Sequence, residues 1–119
     1  MRYLCTIFFD EKQLDALSDG ELQAVEDAMH ACEETLRKSG HFVAAQALQP
    51  VHAATTVRVR SGTVSVTDGP FAETNEQIGG FVLVEAENLD EAIRLASTIP
   101  AGHLGGVEVR PIKPRCGSR

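Results

Sequence analysis

The most constraining feature of the chain is its first strand. Residues 3–9 read YLCTIFF, with Tyr3, Cys5, Ile7 and Phe9 on one face and Leu4, Thr6 and Phe8 on the other, so both faces are largely apolar. Such a strand needs cover on two sides. Residues 80–86, GFVLVEA, repeat the pattern apart from Glu85. Leu4, Phe8, Val82 and Val84 read as the face left after helices have covered the other, and each apolar side chain of that size gains about 1.5 to 3 kcal/mol on full burial. A second copy of the chain, packed sheet to sheet, is the expected cover.

The remaining segments supply the layers. Ser18 stands three residues before Glu21, a capping-box spacing, and Leu22, Val25, Met29, Cys32 and Leu36 follow at steps of three and four. This predicts a long amphipathic helix stopped at Gly40, with Arg37 and Lys38 near its negative end. Residues 42–49 form an Ala-rich strand ended by Pro50. TTVRVR and TVSVTD then flank Ser61 and Gly62 as a two-residue hairpin, pairing Val59 with Val64 and Val57 with Val66. Residues 90–99 have helical spacing before Pro100, and residues 107–112 close the domain as a strand. The order strand, helix, strand, hairpin, strand, helix, strand predicts an α+β ferredoxin-like sandwich, with an antiparallel sheet, two helices on one face and an added β-hairpin. Residues 1–112 read as one domain and 113–119 as a basic C-terminal tail.

At 119 residues, 43% apolar and 24% charged, the chain has the makeup of one folded domain. No apolar run approaches the ~20 residues that cross a bilayer, and no signal peptide is visible, so no membrane contact is expected. The net charge is −6, and residues 1–50 hold most of the imbalance. The basic residues concentrate only at Arg110, Lys113, Arg115 and Arg119, too few and too terminal for a duplex-binding surface, so no nucleic acid partner is expected. Cys5, Cys32 and Cys116 are odd in number and lack CxxC spacing, which fits a cytoplasmic protein with reduced thiols. No spacing announces a metal, cofactor or nucleophile site, and none is expected.

Residues 67–86, TDGPFAETNEQIGGFVLVEA, together with the opening strand, the ALQP element at 47–50, TTVRVR, LDEA and VEVRP, resemble the YCII-related family, in its DGPF-domain branch. The resemblance implies a small cytoplasmic bacterial protein with a ferredoxin-like fold, paired as a dimeric α/β-barrel-like assembly. Its wider group includes enzymes, among them a muconolactone-type dehalogenase, and members with a proposed His and Asp pair in a pocket. The DGPF branch implies no particular reaction; its genes often neighbour those of extracytoplasmic-function sigma factors. Asn75 stands where the motif commonly has lysine, and Ile99 stands where the acidic partner is expected, so the His and Asp pair is not expected here.

Asp68 shares the parity of Val64 and Val66, which aims it at the apolar face of the hairpin. Two roles fit: a turn brace reaching Phe71 or Ala72, because Pro70 has no N–H, or a pocket carboxylate serving as base or ligand acceptor. Glu73 can pair with it across the turn or cap a short turn begun by Thr74 and Gln77. Arg58 and Arg60 can receive an anion or simply face water. Phe71 fits core or a ligand contact. His30, flanked by Glu26 and Glu34 on one helical face, has a spacing that can bind metal weakly or form a solvated cluster, and it joins the residues near a ligand site. Two functions follow. One is a dimeric pocket protein for a small anionic, acidic or lactone-like molecule, with catalysis left open. The other is a noncatalytic interaction module, with a sigma factor as partner.

Overall fold

The computed structural model describes residues 1–115; Cys116 and Arg119, counted above in the basic tail, lie outside the described residues. Six strands and three helices follow in the order β1 (Arg2–Phe9), α1 (Glu11–Asp15), α2 (Asp19–Lys38), β2 (Phe42–Ala47), β3 (Thr55–Arg60), β4 (Thr63–Asp68), β5 (Gln77–Glu85), α3 (Leu89–Ala96) and β6 (Gly105–Pro111). One sheet has the order β2-β5-β1-β6, all pairs antiparallel, and β3-β4 form a separate two-stranded ribbon. This is an α+β architecture consistent with the ferredoxin-like plan. The membrane expectation has one physical counterpart: no described helix is long and apolar enough to cross a bilayer.

The long helix has the ends its sequence predicts. Ser18 Oγ accepts from the Glu21 N–H at 3.1 Å, and the Glu21 carboxylate accepts from the Ser18 N–H at 3.0 Å. The Ser18 N–H bonded to the carboxylate, foremost, and the Ser18 hydroxyl beside it favour the ionised form and hold Glu21 below the usual carboxylate range. At the other end Gly40 takes φ 81°, the His41 N–H reaches the Leu36 carbonyl and the Gly40 N–H reaches that of Arg37. That is the paired closure that satisfies the last carbonyls of a helix.

The core lies between the four-stranded sheet and the helices. Tyr3, Cys5, Ile7 and Phe9 from β1 join Val82 and Val84 from β5, Leu36 from α2, and Ala92, Leu95 and Ala96 from α3. The expected division of β5 is reversed. Cys5 pairs with Val82 and Tyr3 with Val84, so the two valines share the helix-covered face, where each is 1% exposed. The uncovered face carries Leu4, Phe8, Phe81 and Leu83 instead, all half-buried. Burial pushes the Cys5 thiol up to about 11, as desolvation of a thiolate requires.

The second predicted helix stops three residues early, at Ala96. Ser97 and Thr98 hydroxyls donate to the Arg94 and Leu95 carbonyls, both at 2.7 Å, and Ile99 is extended because a residue before proline is forced out of the helical region. Ile99 still buries fully, and Pro100–Leu104 forms a 3-10 turn under the sheet.

Candidate functional site

Two regions hold the residues singled out from sequence, and they are separate. The hairpin register is the expected one, with Val59 opposite Val64 and Val57 opposite Val66, and Ser61 and Gly62 both adopt positive φ, the turn a two-residue hairpin needs. Arg58 and Arg60 occupy the opposite face from the valines. Thr56 Oγ1 donates to the Gly69 carbonyl at 2.8 Å, and the Arg58 guanidinium lies 4.3 Å from the centroid of the Phe71 ring. The loop after β4 therefore folds over the polar face and leaves the valine face open.

This placement corrects two readings. Phe71 is not core: it is 70% exposed and stacks on Arg58. Asp68 does share the valine parity, but that face is open, so Asp68 and Glu73 are both exposed. Among the described residues the Asp68 carboxylate takes no backbone hydrogen bond from Phe71 or Ala72; the turn is held by the Gly69 N–H to the Ala54 carbonyl at 2.8 Å. Thr74 and Gln77 start no helical turn. The Thr74 hydroxyl bonds the Glu76 carbonyl, and Gln77 Nε2 donates to the Thr74 carbonyl at 2.6 Å while its Oε1 accepts from the Glu11 N–H at 2.9 Å. These contacts tie the motif loop to the body.

His30 belongs to the second region, a cleft of about 650 Å³ between α2 and the sheet. Ile7 and Phe9 of β1 form its floor, Leu22, Val25 and Met29 its helical wall, and Leu48 and Leu104 stand at its ends. The cleft exists because the apolar stripe of α2 is only partly engaged: Leu36 is its one buried member, and Leu22, Val25 and Met29 remain half-exposed. Gly79 shapes the floor. A Cβ there would stand 2.1 Å from the Phe9 ring, so only glycine lets that ring lie flat across β5.

The rim is polar and carries more negative than positive charge. Glu26, His30, Glu33 and Arg37 line it from α2. Arg37 is engaged already, 4.0 Å from Glu33, 3.6 Å from Glu34 and 4.3 Å above the Phe42 ring. His30 is the one lining side chain that can present either a donor or an acceptor nitrogen. Glu34, the other acid read beside His30, is held by Arg37 rather than by the cleft. Among the described residues no three of His, Cys, Asp and Glu gather in a metal-binding group. Asp68, Glu73, Arg58, Arg60 and Phe71 do not line the cleft. Phe9, Met29 and Glu33 escaped the sequence reading because a helix standing off its sheet has the same apolar stripe as one packed against it. The two glycines Gly79 and Gly80 inside an otherwise apolar strand were the available signal.

A ferredoxin-like sheet with a helix-walled apolar cleft and a projecting hairpin defines a class of small α+β proteins. Within it, the YCII-related domain model matches residues 1–115, and the chain belongs to that family. It is also 35% identical over 114 residues to an uncharacterized protein of Rhizobium meliloti (strain 1021), covering 94% of this chain and 92% of that protein.

Proposed function

We propose that the protein binds a small, mostly apolar molecule with a neutral polar end, of the lactone-like class, in the cleft between α2 and the sheet. One observation carries the reading: a single imidazole, His30, stands at the polar rim of a cavity of small-molecule size whose floor is apolar. A ligand's hydrocarbon body would rest on Ile7, Phe9 and Met29 while its carbonyl accepts from the His30 ring. Glu26 and Glu33 at the same rim disfavour a carboxylate there, since like charges repel and Arg37 is already paired. Of the acidic and lactone-like ligands expected from sequence, the neutral one fits better.

The test is titration by NMR of an alkyl-substituted γ-lactone and of its ring-opened hydroxy acid. The lactone is expected to shift Met29 and Phe9 resonances saturably, the acid to bind more weakly, and His30→Ala, which removes the donor, to weaken the lactone. Equal binding by the His30→Ala protein, or no shift at Met29, would contradict the reading.

The same protein is proposed to act as a homodimer through the uncovered sheet face. Leu4, Phe8, Phe81 and Leu83 support this, because together they leave a contiguous apolar surface on one side of the central strands.

A further inference from the structure

The long helix α2 carries a second stripe, distinct from the one that walls the cleft. Cys32, Thr35 and Ser39 line a groove of about 490 Å³ between α2 and α3, floored by the buried side chains of Leu36 and Leu95. Its polar groups have spent their protons inside the chain. The Thr35 hydroxyl donates to the Ala31 carbonyl at 3.1 Å, that of Ser39 to Leu36 at 3.2 Å and that of Thr98 to Leu95 at 2.7 Å. Because the Thr98 proton is committed, the 3.9 Å contact between Cys32 Sγ and Thr98 Oγ1 has the thiol as donor. His41 Nδ1 lies 2.8 Å from the Glu85 carbonyl, which can only accept, so that proton is committed as well. A hydroxyl has one proton and two acceptor sites, so the groove offers oxygen lone pairs and asks for donors. Arg94 is the exception. It stands 3.5 Å from Glu91 on an exposed side chain, and most of its five N–H donors are left over.

We propose that this groove binds a free α-amino acid with an apolar side chain, such as leucine. The match is one of charge and of hydrogen-bond role. An ammonium group brings three donors and no acceptor to hydroxyl oxygens that can only accept. Thr98 follows the end of α3, where the negative pole of the helix dipole favours a cation. Arg94 and Thr98 are four residues apart, the spacing of neighbours on one helical face, and both line the groove. A carboxylate on the Arg94 fork therefore leaves the adjoining ammonium beside Thr98, with Thr35 across the groove. The aliphatic side chain then rests on Leu36, Leu95 and Pro100. A simple carboxylate would leave the Thr35 and Thr98 oxygens without a donor, and a simple amine would meet Arg94 with like charge. The groove shares no lining residue with the cleft beside His30, so the two sites stand or fall separately.

The experiment is NMR titration of the full chain with L-leucine, with N-acetyl-L-leucine, which lacks the ammonium, and with L-leucinamide, which lacks the carboxylate. Leucine is expected to shift the Thr35 and Thr98 amides saturably below about 10 mM. N-acetylation is expected to weaken binding about tenfold or more, through loss of charge-assisted bonds. Amidation is expected to weaken it about threefold, because Arg94 is exposed and its pairing is screened. Arg94→Gln is expected to weaken leucine about threefold and leucinamide not at all, the coupling that a direct contact requires. No saturable shift at Thr98 overturns the proposal, as does equal binding of N-acetyl-L-leucine, which would mark a groove that is only apolar. Equal weakening of both ligands by Arg94→Gln overturns the carboxylate contact. A leucine shift confined to Met29 puts the ligand in the cleft and overturns the site.

Discussion

The four-stranded sheet and the β3-β4 ribbon are written in the same alternating code and end in opposite circumstances. In the sheet, Cys5, Val82 and Val84 vanish beneath α2 and α3; in the ribbon, four valines of equal regularity stand in solvent. Alternation marks a face that needs cover and is silent about which chain supplies it. The helices that follow β1 and β5 supply it for one face of the sheet. No helix follows β3 or β4, and the loop after β4 touches only Thr56 and Arg58 of the polar side.

Substitution at matched apolar positions breaks the comparison most sharply. Ile99→Ala, which empties a site 1% exposed, is expected to cost about 3 kcal/mol in urea unfolding of a dilute sample. Val64→Ala is expected to cost under about 0.5 kcal/mol under the same conditions, as for a surface site. A large cost for Val64→Ala at dilution would mean that the ribbon is packed within its own chain. Gly79→Ala is next, at about 2 kcal/mol, because the new methyl meets the Phe9 ring. It should also disturb lactone binding, whereas Gly62→Ala in the ribbon turn should not.

Smaller effects test the margins of the body. Ser18→Ala removes the N-cap of α2 and is expected to lower stability by about 1 kcal/mol. Glu85 accepts a hydrogen bond from the Met1 ammonium and lies 3.6 Å from Arg2; the ammonium contact, foremost, holds its carboxyl below the usual 4.5. A carboxylate depressed in the folded state stabilises at pH above its ordinary value, and that contribution is lost as pH falls through the folded value. Glu85→Gln is therefore expected to lower stability slightly at neutral pH and to flatten the fall below pH 4.5, read from thermal midpoints across a pH series.

The parts legible from sequence are those fixed by local chemistry. Ser18 and Glu21, Gly40, and the Ser61-Gly62 turn each need a particular residue at a particular place, and each is found there. Which residues share a face of β1 was also readable, since parity within a strand is a local property. Parity between strands was not: Val82 and Val84 were assigned to the open face because their register against Cys5 and Tyr3 is set by long-range pairing. The same limit hid the cleft. Met29 and Phe9 are far apart in the chain, and the gap between them depends on how far α2 stands from the sheet. The motif residues drew attention as a site, yet Asp68 ends the ribbon and Phe71 lies on the loop after it, while His30 alone reached the cavity.

The most direct measurement is hydrogen exchange of the native chain over a dilution series spanning the dimer equilibrium. Amides of β1 and β5, the strands of the uncovered sheet face, are expected to slow as concentration rises, while the central turns of α2 stay constant. Exchange in β1 and β5 that is equally fast at every concentration would contradict the claim that a second copy covers this sheet.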